Sequence, residues 1–147
     1  LDGPALEAID NEISCNVDQL FSLGWEYYKF ARDRAGKHWC QQVSRLYYAA
    51  YNLVRAVRLD VSGDYSTDVT DHKHIRDLPD GFPNVDLYST QLERLRDDRN
   101  LCDYDHTAVP GDLVLAPDEA LDLVGSLFSD AREFFSSRGL DIQGGDA

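Results

Sequence analysis

The sequence predicts an all-α fold, a four- to five-helix up-and-down bundle, on three observations. Apolar residues recur at three- and four-residue steps in four separate segments, the signature of helices that bury one face. No stretch alternates apolar and polar residues over a strand's length. Gly, Pro, Asp and Ser gather between the periodic segments, where turns belong. With 147 residues, 43% hydrophobic and 28% charged, the chain is long enough for one domain with a real core. That domain is expected over residues 1–138, with 139–147 as a flexible C-terminal tail.

The first helix is expected over residues 5–34, its stripe being Ile9, Ile13, Val17, Leu20, Leu23 and Tyr27, with Gly36 as its stop. The second is expected over residues 38–59, with Val43, Leu46, Tyr47, Ala50, Leu53, Val54 and Val57 facing inward. Residues 60–84 are rich in Asp, Ser, Thr, Gly and Pro and read as a long connection with a single turn at 72–78, placed as a lid over a cleft. The third helix is expected over about 85–102. The fourth begins at Pro117, a favoured first helical residue, with Asp118 and Glu119 at the positive end of its dipole. It runs to about Ser137, with Leu121, Val124, Leu127, Phe128, Ala131, Phe134 and Phe135 inward.

Fourteen Lys and Arg stand against 27 Asp and Glu, a net charge of −13 at pH 7. This argues against a protein that coats nucleic acid or anionic membrane through its overall charge, while leaving room for a small basic site. The charge is uneven, however. Between Lys29 and Arg58 seven basic residues face one acidic residue, Asp33, so this stretch carries +6 and the remainder −19. The stretch reads either as a solvated face paired with acidic neighbours or as a local surface for an anionic ligand, with Arg45 and Arg55 as candidate substrate-binding residues. The acidic remainder suits a basic protein partner.

Three cysteines, Cys15, Cys40 and Cys102, are far apart and form no CxxC pair. Neither a disulfide framework nor a zinc knuckle is expected, and a reduced, cytoplasmic protein fits best. No apolar run approaches the ~18 residues of a spanning helix, and the opening residues do not read as a signal peptide, so no membrane partner is expected. The chain starts at Leu1 and contains no Met, so a trimmed N-terminus is expected.

Chemistry concentrates on the third helix. Leu92, Leu95 and Cys102 share a face, and Arg99 falls on it. An arginine in an apolar seam needs a partner, a ligand or a wet cleft. If the helix continues, His106 lies seven residues further, about 10.5 Å along the axis and about 20° off in direction, so the two side chains face one cleft. Histidine near neutrality accepts the proton of a 2′-hydroxyl, and arginine holds a phosphate and its growing negative charge. Asn100 is placed to orient either group. The plainer reading pairs Arg99 with Asp103 and leaves His106 in an exposed loop.

The run Ser44-Arg45-Leu46-Tyr47-Tyr48-Ala49-Ala50-Tyr51, followed by Leu95-Arg96-Asp97-Asp98-Arg99-Asn100-Leu101-Cys102-Asp103-Tyr104-Asp105, resembles the HEPN domain family. The resemblance spans about residues 12–138. It implies a dimer of small all-α bundles with a shared cleft. Catalytic members are metal-independent ribonucleases marked by Arg, four to six residues, then His, often with a polar residue after the Arg. Arg99 to His106 has that pattern with six residues between, which carries over Arg99, Asn100 and His106 as catalytic residues. Arg96 and Tyr104, inside the second motif, join Arg45 and Arg55 as candidate substrate-binding residues. Many members are toxins encoded beside a nucleotidyltransferase-type antitoxin, and others act against phage. A homodimer, an RNA substrate and such a protein partner are therefore expected, with no cofactor. The competing implication is a non-catalytic HEPN module that binds a nucleotide or a protein through the same cleft.

Two further patterns bear on metal and base binding. Asp71 precedes His74 by three residues, and Asp103 precedes His106 by three, as in di-iron bundles. The facing helix offers no Glu or Asp between Gly36 and Leu59, so no metal is expected, and His72 and His74 read as solvated loop residues. The aromatics Trp25, Tyr27, Tyr28, Phe30, Trp39, Tyr47, Tyr48 and Tyr51 read as core or dimer interface before they read as a base-stacking platform.

Overall fold

In a computed structural model, which describes residues 2–34, 36–63 and 69–144, the chain is an all-α bundle of four helices, with no strand among the described residues. Helix α1 (Gly3–Arg32) starts where the carboxylate of Asp2 accepts the amide of Ala5 at 2.9 Å, with Pro4 just inside. A 3₁₀ turn over Gly36–His38 leads into α2 (Trp39–Ser62). The Gln42 amide closes this corner by donating to the carbonyls of Ala31 (3.2 Å) and Arg34 (2.7 Å). Helix α2 runs three residues beyond its expected end because Gly63, at φ 70°, supplies the left-handed cap. Residues 64–68, the middle of the expected lid, lie outside the described residues. The expected single turn at 72–78 is a longer 3₁₀ segment that starts earlier, Val69–Arg76.

Helix α3 (Val85–Tyr104) begins after Asn84, whose φ of 55° is a left-handed conformation that Asn tolerates. A 3₁₀ turn at Pro110–Asp112 precedes α4 (Pro117–Ser137), which has the expected bounds. No helix among the described residues is long and apolar enough to cross a membrane.

The central element is α2, which packs against the other three helices and the 3₁₀ segment Val69–Arg76. Every residue of its expected stripe is buried. Helix α1 departs from expectation. Val17 and Leu20 are buried, but Ile9 and Leu23 are 43% and 46% exposed, and Phe21, Gly24 and Ala31 point inward instead. The reason is a close approach: a Cβ on Gly24 would lie 2.8 Å from the carbonyl oxygen of Ala49 and 3.2 Å from Cζ of Phe128. Gly24 thus sets which face of α1 meets α2 and α4, where Phe21 and Trp25 pack edge-on to Phe128 at 5.2 and 5.3 Å. Gly24→Ala is expected to destabilise the protein by about 1–3 kcal/mol, because the nearer atom is backbone and cannot swing aside. Urea unfolding would read this as a lower midpoint at unchanged slope.

The C-terminal segment also makes contacts. Leu140 and Ile142 pack on the core, and the amide of Gly144 donates to Asp18 at 2.9 Å. Residues 145–147 lie outside the described residues. Arg138 joins the ends of α4 and α2 through its Nε bond to Asp60 at 2.6 Å.

Candidate functional site

Helix α3 carries Arg99 toward α2. The guanidinium carbon lies 4.4 Å from the centre of the Tyr47 ring and 5.9 Å from that of Tyr48, an arrangement in which the ring faces attract the cation. The side chain is only 11% exposed. Its Nη1 sits 3.4 Å from an oxygen of Asp103, one turn on, and its buried Nε has no acceptor among the described residues. The plainer expectation of an Arg99–Asp103 pair therefore holds at one nitrogen, at a long distance.

Tyr47 is fully buried and links this cation to a histidine from outside α3. Its hydroxyl lies 2.6 Å from Nδ1 of His72, and its ring is near-parallel to those of Tyr51 and His72. The His72 ring also stacks on Tyr51 at 4.4 Å. Expected as a solvated loop residue, His72 is instead half-buried in an aromatic cluster. Burial pushes the Tyr47 hydroxyl well above the ordinary tyrosine range, and Tyr51 and Tyr48 add to the shift while Arg99 and Arg96 oppose it. The phenol stays neutral at physiological pH and serves as a hydrogen-bonding group, not a base. Tyr47→Phe is expected to cost about 1–2 kcal/mol in thermal unfolding, since it strips a buried bond and leaves the ring packing in place.

His106 is placed differently from the helical expectation. Helix α3 stops at Tyr104, two residues short, so the seven-residue helical register does not reach His106. The physical cause is Asp105, which takes an extended conformation while its side chain accepts the amide (2.9 Å) and hydroxyl (2.7 Å) of Thr107. This Asx turn competes with the next helical hydrogen bond. Those same two bonds, the hydroxyl's first, hold the Asp105 carboxyl below the usual carboxylate range. His106 is exposed and makes no hydrogen bond among the described residues. Tyr104 is 81% exposed at the helix end, and Asn100 is half-buried.

Of the candidate binding residues, Arg55 and Arg96 belong to the Arg99 side of the molecule. The guanidinium carbon of Arg55 lies 5.3 Å from the Tyr51 ring centre, and Arg96 acts on the Tyr47 hydroxyl alongside Arg99. Arg45 lies over Phe30 and Tyr27, at 5.3 and 5.7 Å, and lines a groove of about 210 Å³ with Asp103 and Cys102. The basic stretch thus rests several cations on aromatic faces, the platform role being filled by protein arginines. The structure gathers Arg99, Arg96, Arg55, Tyr47, Tyr51 and His72, with Arg45 in the adjoining groove. Tyr104 and His106 lie on the exposed end of α3 and the turn beyond it.

A buried carboxylate that the sequence reading did not single out also holds the site's surroundings. Asp98 is 2% exposed and accepts the amides of Val114 (2.8 Å) and Leu115 (2.9 Å), so it ties α3 to the far end of the connection that carries His106. Its signal in the sequence is a position three residues after Leu95 and six after Leu92, on the buried face. Among the described residues no three His, Cys, Asp or Glu side chains converge as a metal site would require. No family model, curated protein or solved structure matches the chain.

Proposed function

We propose that this protein is a HEPN-type, metal-independent endoribonuclease, acting as a dimer whose shared cleft receives Arg99 and His106 of each copy. Arg99 holds the scissile phosphate. His106 removes the proton of the adjacent 2′-hydroxyl, whose oxygen attacks phosphorus while the bond to the 5′-oxygen breaks. The products are a 2′,3′-cyclic phosphate end and a 5′-hydroxyl end, the leaving oxygen taking a proton from an imidazolium. Asn100 supports the phosphate, with Arg45, Arg55, Arg96 and Tyr104 along the RNA path. A toxin or phage-defence setting, with a nucleotidyltransferase-type partner that covers the cleft, belongs to the same proposal.

The observation that carries this reading is the state of Arg99. Its guanidinium is held on an aromatic platform and nearly closed to solvent, with Nε lacking a protein acceptor among the described residues. A buried guanidinium with unfilled donors suits a phosphate, which accepts two parallel bonds from the fork. A second reading, the non-catalytic module that binds a nucleotide or a protein partner, is favoured by a different observation. Asp103 already engages Nη1, and no bond among the described residues orients the His106 ring.

The deciding experiment incubates the purified protein with structured RNA in EDTA. Cyclic-phosphate fragments are expected, with His106→Ala slower by about 10²- to 10⁴-fold. A parent protein that cuts nothing, yet binds a nucleotide or partner that Arg99→Ala no longer binds, replaces the nuclease with the binding module.

A further inference from the structure

We propose that Cys40 and Cys102 are a disulfide-forming pair, a modification site at the junction of α2 and α3 that a peroxide closes. Sixty-two positions apart in sequence, they meet in the fold. Cys40 is the second residue of α2 and Cys102 the third from last of α3; both are free, half-buried and line the same small groove with Ser44, Arg45 and Asp103. The third cysteine, Cys15, is exposed on α1 and lines no part of that groove. The two thiols interact directly: Cys102 is pushed far above the ordinary thiol range by burial first, then by its hydrogen bond to Cys40 and by the charge that Cys40 carries when ionised.

Peroxide is attacked by a thiolate, and Cys40 sits at the start of α2 in the groove it shares with Arg45. Its sulfur attacks hydrogen peroxide, the O–O bond breaks, and one water leaves as the sulfenic acid forms. The Cys102 sulfur attacks the sulfenic sulfur, the S–O bond breaks, and a second water leaves with the S–S bond in place. The two thiols lose two electrons and two protons, and the peroxide takes both.

The full-length protein, treated with hydrogen peroxide and then alkylated, tests this directly. The expected product has lost two hydrogen atoms and has one alkylated cysteine, Cys15. Trypsin should yield a linked pair of peptides, residues 38–45 and 100–132, which dithiothreitol separates. The Cys15→Ser variant should behave like the parent, with a higher thermal midpoint after oxidation, because the bridge restricts the unfolded chain. Cys40→Ser and Cys102→Ser should each abolish the linked peptides. Oxidation confined to Cys15, or sulfinic acids on Cys40 or Cys102 without a bridge in the Cys15→Ser background, overturns the proposal. The readout is covalent mass, so it stands whether or not the protein cleaves RNA.

Discussion

Replacing Asp98 with alanine is expected to destabilise the fold by about 2–4 kcal/mol, since one buried and one part-buried amide lose their acceptor at once and an unsatisfied buried donor costs about 1–3 kcal/mol. The amides are those of Val114 and Leu115, immediately before α4. Asparagine is no rescue, because its NH₂ group would turn a donor toward one of the two N–H groups; Asp98→Asn should lose part of the stability that Asp98→Ala loses. The pH dependence follows from burial, which pushes the Asp98 carboxyl above the usual carboxylate range against the pull of the Leu115 and Val114 amides. With the folded value above the unfolded one, the contribution of this group is fully present below the unfolded value and falls as pH rises through the folded value. The cost of Asp98→Ala should therefore be smaller at neutral pH than in mild acid. Urea unfolding of both variants at several pH values checks the prediction, and an Asp98→Ala cost within 0.5 kcal/mol of zero, the range of ordinary surface substitutions, would sink it. Loosening Val114 and Leu115 also frees the connection behind His106, so any RNA cleavage should fall further than the loss of folded protein explains.

The helices were legible because they are local. Apolar spacing set α2 and α4, and Pro117 marked the start of α4 through a property of one residue. The face of α1 was not legible. Ile9 and Leu23 satisfy the helical period as well as Phe21 does, and only the close approach of Gly24 to Ala49 across the bundle decides between them. The end of α3 had a readable signal in Asp105 and Thr107, a side chain that caps two residues on, set against a helical continuation that equally fits the spacing. Arg99 was readable as a charge on an apolar face. Its neighbours were not: Tyr47 sits fifty-two positions earlier and His72 twenty-seven, and nothing in a polar segment around Asp71 and Lys73 says that one histidine stacks on Tyr51. The meeting of Cys40 and Cys102 is of the same kind. Contacts across the bundle depend on the relative rotation of two helices, a quantity that no single segment encodes.

Arg99→Ala is expected to reduce RNA cleavage by about 10²- to 10³-fold, the usual cost of deleting one preorganised donor set from a charge-developing transition state. Its effect on folding should be much smaller. The lost contact with the Tyr47 ring is worth about 0.5–2 kcal/mol, and the abandoned Asp103 is one-third exposed and can be solvated. Activity and stability thus separate in this variant, in contrast to Asp98→Ala, where stability leads. Arg99→Lys sharpens the point. It keeps the charge over the ring but replaces a planar fork by a single ammonium, so binding of the phosphate should weaken less than the rate of cleavage falls. Asp103→Asn tests the competing role of the ion pair. Where Asp103 merely occupies Nη1 until RNA arrives, releasing it leaves cleavage unchanged or raises it; where the pair orients the guanidinium, the rate drops with Arg99 still present. Single-turnover cleavage in EDTA, measured beside thermal unfolding of each variant, distinguishes these outcomes. Arg99→Ala that cuts as fast as the parent would remove Arg99 from the chemistry and leave it a structural cation on its tyrosine.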